Sequence, residues 1–84
     1  MQRRDTANRR RGTAIDPAAR FGANVRTERQ RRGLSQEALA AAADLHRTEI
    51  SLLERGAREP RLSTVVRLAR ALGVPPSDLL RGVD

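Results

Sequence analysis

The chain has 84 residues, 38% of them hydrophobic and one of them aromatic, which suits one small helical domain with an aliphatic core. It has 0 cysteines and 1 histidine, which excludes a disulfide framework and thiolate metal sites, and no cofactor is expected. The balance of 17 basic to 10 acidic residues gives a net charge of +7, which points to a polyanionic partner.

Every basic residue is Arg. The guanidinium fork suits phosphates and guanine edges better than an ammonium does. A codon bias toward Arg and Ala leaves the same mark on composition. No apolar run approaches the ~20 residues of a membrane span. The Arg-rich start lacks the apolar stretch of a secretory signal, so a cytoplasmic, nucleoid-associated protein with no membrane partner is expected. No nucleophile, acid–base pair or metal set stands out, and enzymatic activity is not expected.

Residues 1–15 carry Arg3, Arg4, Arg9, Arg10 and Arg11 with few apolar residues and no periodicity. They read as a disordered arm, either lying along DNA or solvated with no fixed role. Residues 16–84 read as the folded domain. Asp16 and Pro17 suit the N-cap and first position of a helix. Its apolar side runs through Ala18, Phe21 and Val25, and Gly33 suits its stop. Gly22 weakens the interior of that helix unless a neighbour packs closely there. Arg29 falls on the apolar side, where a charge needs a partner or a route to water.

Ser35 is the expected N-cap of a second helix, with Leu39, Ala40 and Ala43 facing inward. Asp44 breaks the chain. A third helix follows, held by Ile50 and Leu53 and stopped at Gly56, with His46 in its N-cap region. Residues 57–61 read as a polar loop. A fourth helix over 62–72 places Leu62, Val65, Val66, Leu68, Ala69 and Leu72 on its apolar face. A last helical turn begins at Pro75-Pro76-Ser77-Asp78. The expected class is all-α with five helices, and no strand-like alternation competes.

In order, Val25-Arg26-x-x-Arg29, Gly33-Leu34-Ser35-Gln36-Glu37-x-Leu39-Ala40, Leu45-His46-Arg47-Thr48-x-Ile50-Ser51 and Glu54-Arg55-Gly56 form a motif set. Pro60, Leu68-Ala69-x-Ala71-Leu72-Gly73-Val74 and Asp78-Leu79-Leu80 complete it. This set resembles the Xre/Cro-type helix-turn-helix DNA-binding domains, over about residues 20–81. Asp44 stands where that family usually has Gly. Asp tolerates the left-handed region better than most residues.

The resemblance implies a five-helix, phage-repressor-like domain that binds double-stranded DNA and regulates transcription. Arg47, Thr48, Ser51 and Leu52 match base-reading positions; Gln36, Arg55 and Arg58 match phosphate-binding ones. Arg29 and Glu54 match a structural ion pair. One recognition helix reads few base pairs, so a homodimer on a palindrome is expected, with half-sites roughly 34 Å apart. Leu80, Val83, Leu79 and Val74 are the apolar candidates for the dimer contact. Repressor or autoregulator is the leading role. A restriction-modification controller, an antitoxin-type autorepressor with a toxin partner, and a protein-bridging module are the alternatives.

Overall fold

The computed structural model describes residues 16–84, and the arm expected over residues 1–15 lies outside them. Among the described residues the chain forms five helices and no strand. These are α1 (Pro17–Arg31), α2 (Gln36–Ala43), α3 (Arg47–Glu54), α4 (Leu62–Leu72) and α5 (Pro76–Leu79). The class and the helix order are those expected from the sequence.

The helix boundaries have local causes. The Asp16 carboxylate accepts from the backbone N–H groups of Ala18 and Ala19 at 3.0 and 3.2 Å. Ser35 Oγ accepts from the Ala38 N–H at 3.0 Å. Each cap satisfies donors that the first turn of a helix leaves free. Asp44 closes α2 in the left-handed region, at φ 59° and ψ 48°. Its short polar side chain makes that region affordable without glycine.

Burial then assembles these elements. Phe21 and Val25 of α1, Leu39, Ala40 and Ala43 of α2, and Ile50 and Leu53 of α3 form one core with Val65, Leu68, Ala69 and Leu72 of α4. α3 packs against both α1 and α2, while α4 closes over α2 and α5 rests on α1 and α4. The eight-residue α3 is too short to be stable alone. It is fixed by Ile50 and Leu53, both 0% exposed.

Two glycines permit this approach. A Cβ at Gly22 would run into the carbonyl oxygens of Leu53 and Glu54 at the end of α3. A Cβ at Gly56 would meet Ala19 Cα at 2.8 Å, and Gly56 also has φ +71°. Glycine is therefore the residue that lets α1 touch the backbone of α3.

Two assignments need correction. Leu62, placed by its spacing on the buried face of α4, is 78% exposed. It sits at the first position of α4, where none of the described elements covers it. Leu79, a candidate for the dimer contact, is 0% exposed within its own chain. It fills the space between α1 and α4 and has no surface to offer a partner.

Replacing Gly22 with Ala tests the close approach. The change favours an ordinary helix interior by about 1 kcal/mol. Here it should instead destabilise the fold by about 2–4 kcal/mol through overpacking against backbone, measured by denaturant unfolding.

Candidate nucleic-acid interface

The α2–turn–α3 unit is held from behind by a buried polar cluster. Arg29, on the last turn of α1, reaches across to Glu54 at the end of α3. Arg29 Nε donates to Glu54 Oε2 at 2.7 Å and Nη2 donates to Oε1 at 3.0 Å. The remaining nitrogen, Nη1, donates to the Leu34 carbonyl at 2.8 Å, in the turn before α2. Gln36 Nε2 donates to Glu54 Oε1 at 3.1 Å. The side chains of Arg29 and Glu54 are 13% and 4% exposed.

This geometry resolves the charge on the apolar face of α1. The hydrogen bond that Arg29 donates to Glu54 raises its pKa above the ordinary value, against the opposing effect of burial. A raised guanidinium pKa contributes stability that is complete below arginine's ordinary value and is lost only as pH rises past it. The Arg29 guanidinium therefore stays charged across the neutral range. The Glu54 carboxylate takes its donors from Arg29 and Gln36.

The opposite side of α3 is open. Arg47 and Thr48 are exposed in its first turn, and Ser51 and Leu52 are half-buried one turn on. Arg55 is exposed at the helix end, its Nε directed back to the Ser51 carbonyl at 3.4 Å. His46 occupies the N-cap without a side-chain hydrogen bond to the helix. Gln36 is half-buried at the first position of α2, and its bond to Glu54 holds one amide hydrogen. Arg58 is exposed in the loop after α3. It lines a polar groove with Arg61, Arg67, Glu49 and Glu59. The residues expected to read bases and those expected to hold phosphate thus lie on α3, its flanking loop and the start of α2.

Three polar residues escaped the sequence patterns. Glu28 is 6% exposed and accepts from Arg32 Nη1 at 2.8 Å and Arg31 Nη1 at 3.4 Å. Its spacing of three and four from those arginines is the signal that marks it. Asn24 Nδ2 donates to the carbonyls of Leu79 and Arg81 at 2.9 and 2.8 Å. Arg20 lays its side chain against Gly82, within 3.3 Å of where a Cβ would stand. No sequence spacing announces either of these contacts, since their partners are more than fifty residues away.

The helix-turn-helix family pattern matches residues 25–79, well over half of the chain. The chain belongs to the Xre-type helix-turn-helix family of DNA-binding transcriptional regulators. It is 49% identical to the control protein C.BamHI of Bacillus amyloliquefaciens over 61 residues, covering 71% of this chain and 75% of that protein. It is 47% identical to the control protein C.SmaI of Serratia marcescens over 57 residues, 68% of each chain. Among solved structures, the restriction-modification controller protein C.AhdI from Aeromonas hydrophila superimposes with a TM-score of 0.73 at 39% identity, covering 74% of this chain and 94% of that one.

Arg29→Ala should cost about 3–5 kcal/mol of fold stability, because it leaves the Glu54 carboxylate buried without its partner. Denaturant unfolding measures the loss. At temperatures where the variant is folded, the order of preference among DNA sequences should be unchanged.

Proposed function

We propose that this chain is a repressor or autoregulator that binds a palindromic operator as a homodimer, in the manner of a restriction-modification controller. The observation that carries this is the division of α3 into two faces. Ile50 and Leu53 are fully buried, while Arg47, Thr48, Ser51 and Leu52 look away from the core. Arg47 has the fork that meets O6 and N7 of guanine, and Leu52 offers an apolar surface to a thymine methyl. Arg55 and Arg58 contribute charge for flanking phosphates, and Gln36 retains an amide hydrogen for one.

The dimer follows from the shortness of the reader. Eight residues of α3 span one half-site, and a two-fold repeat supplies the second. Leu62 and Leu80, 78% and 42% exposed, are the large apolar residues left in solvent among the described residues. They border one apolar groove together with Pro17, Val65 and Val83. Leu80 and Val83 therefore remain candidates for the subunit contact, joined by Leu62. Val74 and Val83 are both half-buried against the core, but of the two only Val83 borders this groove. The named control proteins favour the restriction-modification role over the antitoxin one, with double-stranded DNA as the partner. An adjacent restriction or modification gene supports it; an adjacent toxin gene contradicts it.

Selection of binding sites from random DNA tests the main claim. It should return a palindrome, with affinity falling steeply as salt rises. Equal binding to all sequences contradicts it. Arg47→Ala should lose about 1–3 kcal/mol of discrimination at one base position. Arg58→Ala should weaken binding to all sequences alike and reduce the salt slope by about 1.

A further inference from the structure

The last turn of the chain is too small to hold its own shape. α5 has four residues, its N-cap Pro75 makes no side-chain cap, and residues 80–83 continue it as a loose turn. Within that turn, Leu80 N–H donates to the Ser77 carbonyl at 3.2 Å and Val83 N–H donates to the Leu80 carbonyl at 3.0 Å. Isolated turns of this length are not stable in water. This segment nevertheless carries Leu80 and Val83, which form one wall of the apolar groove beside Leu62.

What fixes the segment is α1. The Asn24 amide uses both of its hydrogens on it, one to the Leu79 carbonyl at 2.9 Å and one to the Arg81 carbonyl at 2.8 Å. Those two carbonyls flank Leu80. The side chain of Arg20, one turn earlier on α1, lies under Gly82, whose φ of +76° turns the chain back. Leu79 anchors the segment in the core and Val83 packs partly against it, while Leu80 between them is exposed. The two side-chain bonds from α1 to the backbone of this segment are those of Asn24, to the carbonyls on either side of Leu80.

We infer that Asn24 is a positioning residue for the subunit contact, setting the orientation of Leu80 and Val83 through the carbonyls on either side of Leu80. This rests on the dimer proposed above, with a second copy of the chain as the occupant of the groove. Asn24 itself is half-buried under the turn and acts only through it.

Asn24→Asp tests the role. It keeps the shape of the side chain, removes both donors and sets a carboxylate against two carbonyl oxygens. Sedimentation of the full chain over a range of concentrations reads the dimer, and amide hydrogen exchange reads the turn. The expected result is a dimer dissociation constant raised about tenfold or more, the loss of roughly one to two net hydrogen bonds. Exchange should quicken at the Leu80 and Val83 amides and stay unchanged at Leu53 and Leu68. A variant that dimerises like the parent overturns the inference. So does exchange that quickens equally throughout the core, which marks Asn24 as a general fold contact. A parent chain that stays monomeric at every concentration removes the dimer itself, and with it any positioning role. The exchange data keep that result separate from a failure of Asn24 to order the turn.

Discussion

The buried pair of Arg29 and Glu54 is the interaction on which the rest of this structure depends. It joins the last turn of α1, the turn before α2, the start of α2 and the end of α3 through four hydrogen bonds. A buried ion pair contributes little net stability over a well-packed apolar pair. Its value lies in direction: two charges with fixed partners allow one orientation of α3 and penalise the others. An ammonium cannot replace the guanidinium, because three separate nitrogens of Arg29 are engaged in a plane.

Close packing reinforces that orientation. Gly22 lets α1 press on the terminal carbonyls of α3, and Ile50 and Leu53 seal the same helix from its other side. The back of α3 is thus over-determined, while its front is exposed at Arg47 and Thr48 and half-buried at Ser51 and Leu52. Arg47, Thr48, Ser51 and Leu52 are not members of the buried core. The proposed reading face is therefore carried on a scaffold whose core it does not join, and function placed on such a face can vary while the fold stays the same.

Much of this was legible in the chain itself, because the signals are local. Asp16 and Ser35 act as caps within three residues of their partners, and Asp44 takes the left-handed turn in place of glycine. The odd charge of Arg29 on an apolar face already called for a partner or a route to water, and the structure supplies the partner. Other features were hidden because they depend on which elements meet. The periodicity of α4 includes Leu62, yet burial also needs a neighbour to cover the helix end, and none of the described elements does so. Leu79 and Leu80 are adjacent and chemically alike, but only the first points into the core. The bond from Gln36 to Glu54 and the hold of Asn24 on the last turn join residues far apart in sequence, and periodicity carries no record of them.

A double-mutant cycle between Arg29 and Glu54, read by denaturant unfolding, bears most directly on the claim that this pair fixes α3. Each single replacement by an apolar residue of similar size should be costly. The double replacement should cost less than the sum of the two by about 2–3 kcal/mol, since it leaves no buried charge unpaired. Costs that simply add would show that the two side chains act independently, and would contradict the account.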